Sequence, residues 1–96
     1  MGLSIKVKNA QPLDDLWLCI DFENGDQKYY DTKQLQKIFP IYDDLRNEDI
    51  FKLVKVDCGG YGVAWNSEID ISECELWENG ISLDEYSLAC DTFTTR

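Results

Sequence analysis

The chain contains no histidine, the side chain whose unperturbed pKa suits proton transfer near neutral pH. Serine–histidine and cysteine–histidine nucleophile pairs are therefore excluded. Adjacent carboxylates at 14–15, 43–44 and 48–49 are possible catalytic groups, but each pair lies near a predicted turn or helix start, where acids have structural roles. The sequence predicts no catalytic residues, and a small carboxylate-based enzyme is the least favoured class.

Close cysteine pairs are also missing, since Cys19, Cys58, Cys74 and Cys90 form no Cys-x-x-Cys motif. Structural zinc sites of the ribbon and finger type take their ligands in such pairs. A calcium loop and a phosphate-binding glycine loop lack their required ligands as well. We expect no metal, no cofactor and no disulfide, and thiols that are mostly buried and reduced.

Long apolar runs are absent, because no stretch reaches the roughly 18 consecutive apolar residues of a membrane span. The first ten residues show no apolar core typical of a signal peptide. We therefore expect a cytoplasmic protein.

Positive charge is missing from the second half of the chain. Residues 56–95 hold nine carboxylates and no Lys or Arg, whereas residues 1–55 hold ten acids and eight of the nine bases. The net charge is −10. A one-sided negative field of this kind speeds encounters with basic partners and disfavours nucleic acids and anionic membranes.

The 96 residues predict a single α+β domain with antiparallel β-hairpins and two to four short helices. Apolar alternation predicts strands over residues 4–10, 16–22, 27–30, 54–58 and 62–65. Asn24-Gly25 predicts a type I′ hairpin turn, and Gly59-Gly60 predicts a second turn. Trp65 closes an apolar strand and is predicted to lie in the core.

Capping residues predict the helices. Asp31 or Thr32 precedes a short helix through Ile38, and Asn47 precedes a single turn. Capping boxes predict two further helices, one over residues 72–78 with a left-handed cap at Asn79-Gly80, and one from Ser82. We expect a core domain over residues 1–80 and a carboxyl-terminal extension over 81–96, a short helix and polar tail packed on the same domain.

The order of landmarks resembles a bacterial family known as domain of unknown function 2442. These landmarks are a strand with Phe22 and Gly25, a helix with Asp31 and Leu35, Phe51 before Val54-Lys55-Val56-Asp57, the strand Val63-Ala64-Trp65, and Asp70-Ile71 with Leu76. The resemblance spans residues 4–77. It implies a small α+β domain similar to the amino-terminal domain of some helix-turn-helix proteins, and it makes an antitoxin-like role conceivable. It implies no catalytic residues.

The acidic second half predicts a non-enzymatic module that binds a basic protein, either antitoxin-like or as an inhibitor that mimics nucleic-acid charge. Carboxylates would steer the partner, and Trp77 or Tyr86 would anchor it. The predicted partner-binding residues are Glu68, Asp70, Glu73, Glu75, Trp77, Glu78, Asp84, Glu85 and Tyr86. For Trp77, core packing against the last helix is equally favoured. The alternative is a self-associating domain whose acids serve only solubility.

Overall fold

Two three-stranded antiparallel sheets and four α-helices make up the part of the chain that the computed structural model describes, residues 5–94, with side chains for residues 5–89. The strands are β1 (Val7–Pro12), β2 (Trp17–Phe22), β3 (Gln27–Asp31), β4 (Lys55–Val56), β5 (Gly62–Ala64) and β6 (Asp70–Ser72). The helices are α1 (Lys33–Gln36), α2 (Glu48–Phe51), α3 (Glu73–Asn79) and α4 (Leu83–Thr94). The predicted α+β class with antiparallel hairpins is confirmed.

The first sheet has the order β1-β2-β3, with β2 at its centre. Leu18, Ile20 and Phe22 project from one face of β2 into the core, as the period of two requires. Trp17 and Cys19 project from the other face and are also buried. The central strand is therefore covered on both sides.

The turn between β2 and β3 differs from the predicted type I′ turn. Only Gly25 has a positive φ, of 94°, whereas a type I′ turn needs positive φ at both central residues. The Phe22 amide donates to Asp26 O, and the Gly25 amide donates to Phe22 O. This pattern is a three-residue loop with glycine in the left-handed position, the next most common hairpin connection.

The second sheet has the order β4-β5-β6, and β6 was not predicted. It is three residues long, too short for alternation to be visible in the sequence. An Ile69 carbonyl that accepts from the Trp65 amide closes the turn before it. The predicted core position of Trp65 is confirmed: its side chain is 5% exposed, and its indole N–H donates to Phe51 O at 2.9 Å.

Side-chain caps start three of the helices as predicted. The Asn47 side chain accepts from the Asp49 amide, and the Ser72 hydroxyl accepts from the Glu75 amide. At Ser82 the capping box is reciprocal, because Glu85 also accepts from the Ser82 amide. The prediction of a left-handed cap at Asn79-Gly80 is wrong, because the φ of Gly80 is −75°.

Helix α4 lies on the first sheet. Its Tyr86 ring stacks on Tyr29 at 4.4 Å between centroids and meets the Trp17 ring edge-on at 5.0 Å. Just before the helix, Ile81 exchanges two backbone hydrogen bonds with Tyr29 on the edge of β3. The extension thus covers the face of β2 that points away from the core.

Candidate protein-binding surface

Five of the predicted partner-binding carboxylates are exposed to solvent. They are Glu68, Asp70, Glu78, Asp84 and Glu85. The last of these also caps α4 through Ser82, so part of its hydrogen-bonding capacity is used within the chain. No hydrogen bond inside the described chain uses the carboxylates of the other four.

Two predicted steering carboxylates point inward. Glu73 is only 8% exposed, so the structure does not offer it as a solvent-facing group. It lies three residues before the buried Leu76, on the same face of α3. Glu75 is half-buried, and its Oε2 accepts a 2.7 Å hydrogen bond from the Tyr30 hydroxyl. The Glu75 carboxylate thus holds α3 against β3.

Trp77 is half-buried and packs against the core. Its ring meets the Phe22 ring edge-on at 5.1 Å, while the Lys28 ammonium lies 4.1 Å from its centroid. The same ammonium donates to the Trp77 carbonyl at 2.6 Å, in the last turn of α3, where cations are favourable. Of the two predicted roles of Trp77, the structure shows packing inside the domain, against Phe22 and Lys28 of the first hairpin.

Tyr86, the second predicted anchor, is also half-buried. Its contacts with Tyr29 and Trp17 hold α4 on the sheet. A ring that is stacked inside the domain has already lost much of its contact with water, so less of it is left to desolvate on binding a partner. The structure thus places neither Trp77 nor Tyr86 as a free surface aromatic.

Three of the large apolar side chains that are open to solvent lie within four consecutive residues, in an apolar strip defined as Ile38, Phe39 and Ile41. They are 65%, 50% and 44% exposed. The strip begins where α1 ends and runs into a 3₁₀ segment that starts at Pro40, while Leu35 and Leu45 on either side are buried. Proline disfavours helical backbone at the residue before it, so Phe39 is extended and turns outward. The sequence analysis missed this strip.

Tyr42 links the apolar strip to the acidic half. Its ring lies 6.1 Å from that of Phe39, and its hydroxyl donates to Asp70 O at 2.8 Å. Burial, followed by the Asp70 and Glu75 carboxylates, raises the pKa of the Tyr42 hydroxyl. Exposed apolar side chains and carboxylates of the second half therefore adjoin through a single side chain.

The described residues form neither a metal site nor a membrane-spanning helix. Within the described residues, no group of three or more Cys, Asp or Glu side chains is placed to hold a metal ion, and no helix is long and apolar enough to cross a membrane. Cys19, Cys58 and Cys74 form no disulfide; Cys19 is buried, but Cys58 and Cys74 are exposed, contrary to the predicted burial. The side chain of Cys90 lies outside the described residues.

Comparison with known proteins gives one match. The sequence model of a family described as "Protein of unknown function (DUF2442)" matches residues 7–82. No curated protein and no solved structure matches. The matched region ends one residue before α4, which covers the outer face of the first sheet. The similarity to the amino-terminal domain of helix-turn-helix proteins stays a prediction.

Proposed function

Because the chain belongs to the DUF2442 family, whose description assigns no activity, we propose from its surface that it is an acidic protein-binding module that engages a basic protein partner. The observation that carries this proposal is the apolar strip, whose neighbour Tyr42 contacts Phe39 and donates to the main-chain carbonyl of Asp70 in the acidic second half. Protein interfaces combine an apolar, desolvated centre with a polar rim, and this surface has both parts.

The anchor in this proposal is Phe39, with Ile38 and Ile41 beside it. Aromatic side chains carry a large share of binding energy when a partner buries them, whereas rim charges mainly change the association rate. The anchor thus lies in the first half of the chain, and Trp77 and Tyr86 serve the fold. The carboxylates of Glu68, Asp70 and Glu78 supply the steering.

The partner in this proposal is a toxin, to which the chain would bind as an antitoxin, or a nucleic-acid-binding enzyme, in either case through a basic surface. In the second case the exposed carboxylates would occupy positions of nucleic-acid phosphates on that enzyme. Nucleic acid added in excess should then displace the protein from its partner. A toxin bound at a surface outside its nucleic-acid site would stay bound under the same conditions.

The experiment first uses the native chain to recover partner proteins from the source cell. It then compares two variants with the native chain, both in how well they recover the partner and in the association and dissociation rates that they show with it. Phe39→Ala should raise the dissociation rate at least tenfold, because it removes the anchor. The triple change Glu68→Gln, Asp70→Asn and Glu78→Gln should slow association severalfold at low salt. That difference should shrink at physiological ionic strength, where screening acts over about 8 Å.

Two matched controls accompany these variants. Leu83→Ala removes an apolar side chain of similar exposure that lies in α4, outside the apolar strip. Glu23→Gln removes an exposed carboxylate in the first hairpin turn. Association that is indifferent to salt and to the triple change would contradict steering. A homodimer in light scattering that Phe39→Ala disrupts, with no recovered partner, would favour the self-associating alternative.

A further inference from the structure

A second surface of the chain is basic, although the protein as a whole has a net charge of −10. A cavity of about 300 Å³ opens between the loop that follows β1, helix α1 and the 3₁₀ segment of residues 40–46. Its lining consists of Leu16, Lys33, Gln36, Lys37 and Arg46. Three cations and one amide therefore line it, and no carboxylate does.

Gln36 lines this cavity and holds an unsatisfied donor just behind the cavity surface. Among the described residues its Nε2 is a buried side-chain atom without a hydrogen-bond partner, and it is alone in this. Buried polar groups in folded proteins are nearly always paired, and an unpaired one costs stability. Rotation of the Gln36 side chain turns this donor into the cavity, where an acceptor from outside pairs with it.

Two of the neighbouring cations, Arg46 and Lys37, also have hydrogen-bond donors available for a ligand. Arg46 contacts Asp43 through Nε at 3.3 Å, which leaves the two terminal nitrogens of its guanidinium to donate. Lys37 is exposed and makes no ion pair with a described residue. The Lys33 ammonium, by contrast, forms salt bridges with Asp15 and Asp31, so it acts on a ligand only through its longer-range positive charge.

One wall of the cavity is fixed in advance. Leu16 has a φ of 65°, a left-handed conformation that is rare for leucine. Its carbonyl accepts hydrogen bonds from both the amide and the hydroxyl of Thr32, at 3.1 and 2.7 Å, and Thr32 is fully buried. These bonds hold the loop against α1, so the backbone wall of the cavity is formed in advance and only the Gln36 side chain has to rotate when a ligand arrives.

We propose that this cavity binds a small oxyanion, the phosphate or carboxylate group of a small molecule, through Gln36 Nε2, the Arg46 guanidinium and the Lys37 ammonium. Asp15 and Asp31 next to Lys33, and Asp43 next to Arg46, offset part of the positive charge. A doubly charged oxyanion with several acceptor oxygens is therefore favoured over a monovalent one, and phosphate should bind more tightly than acetate.

The test titrates the whole chain with inorganic phosphate and, separately, with acetate at constant ionic strength, and follows amide signals by NMR. The side-chain NH₂ signals of Gln36 should shift saturably with phosphate and less with acetate. A saturable shift with acetate of equal or greater affinity would assign the site to carboxylate-bearing ligands. No saturable shift of Gln36 with either anion overturns the proposal.

Single substitutions distinguish an effect on phosphate binding from an effect on the stability of the fold. Lys37→Gln and Gln36→Leu should each weaken phosphate binding at least fivefold, while Lys55→Gln, a similarly exposed lysine of β4, should leave it unchanged. Gln36→Leu should also raise the midpoint of urea denaturation, because it removes the unpaired donor. Unchanged phosphate affinity in Gln36→Leu and Lys37→Gln would overturn the assignment, whichever way the midpoint moves.

Discussion

Tyr30 connects the core to the acidic half, and its replacement by phenylalanine tests that connection. The side chain is fully buried, and its hydroxyl donates to Glu75 Oε2 at 2.7 Å, from β3 to α3. Hydrogen bonds to charged groups contribute about 1.5–3 kcal/mol. We expect Tyr30→Phe to lower the free energy of unfolding by about 2 kcal/mol at neutral pH.

The pH dependence makes this test specific. Burial, followed by the hydrogen bond to Glu75, raises the pKa of Tyr30 in the folded protein above its ordinary value of 10.0. The folded state keeps the phenol proton when the unfolded chain has lost it, so the stabilisation is complete below about pH 10 and falls as the pH rises. The fall is about 1.4 kcal/mol per pH unit. The variant should therefore become as stable as the native chain near about pH 11.5.

Urea denaturation followed by tryptophan fluorescence, from about pH 7 to about pH 11.5, measures both effects. Lysine deprotonation acts on both chains and cancels in the difference. Tyr61→Phe is the matched control, because the Tyr61 side chain is exposed, and its free energy of unfolding should follow that of the native chain. A gap between Tyr30→Phe and the native chain that stays constant above pH 10 would refute the reasoning.

Three further predictions concern packing and caps, and each is measured as a change in the free energy of unfolding. Gly62→Ala should cost at least about 3 kcal/mol, because the new Cβ would lie 2.2 Å from Ile71 O. Gly25→Ala, where nothing lies within 4 Å, should cost only about 1 kcal/mol of backbone strain, and equal costs would contradict the close approach of β5 and β6. Ser72→Ala should cost about 1 kcal/mol through the lost cap of α3, and no loss would mean that the cap contributes nothing. Tyr86→Ala should cost about 2 kcal/mol and increase dye binding to the uncovered first sheet, whereas unchanged dye binding would mean that α4 is held by other contacts.

Features set by neighbours in the sequence were predictable. The caps at Asn47, Ser72 and Ser82 depend on a side chain and an amide two or three residues away, and all three formed. The central strand β2 and the core position of Trp65 followed from apolar alternation. Such signals are local, so one sequence suffices to read them.

Features set by tertiary packing were not predictable in the same way. The hydrophobic pattern of α3 contained a signal for the burial of Glu73, since it shares a face with Leu76 and Trp77, but its charge favoured exposure. The exposure of the apolar strip depends on how Pro40 turns the chain after α1, and apolar composition alone predicts burial there. Short β6 needed its partner strand to be recognised.

In the proposed interaction, the roles of the two halves of the chain follow from the distance over which each kind of interaction acts. A carboxylate that is hydrogen-bonded inside the domain, such as Glu75, still contributes to the field that a distant partner feels, because that field sums over all charges. An anchor, however, must be free to lose its water on binding, and Trp77 and Tyr86 are already packed. In the proposed interaction, steering is therefore assigned to the second half of the chain, and anchoring is assigned to Phe39 in the first. The two functions should separate in kinetics, because charge changes act on the association rate and the anchor acts on the dissociation rate.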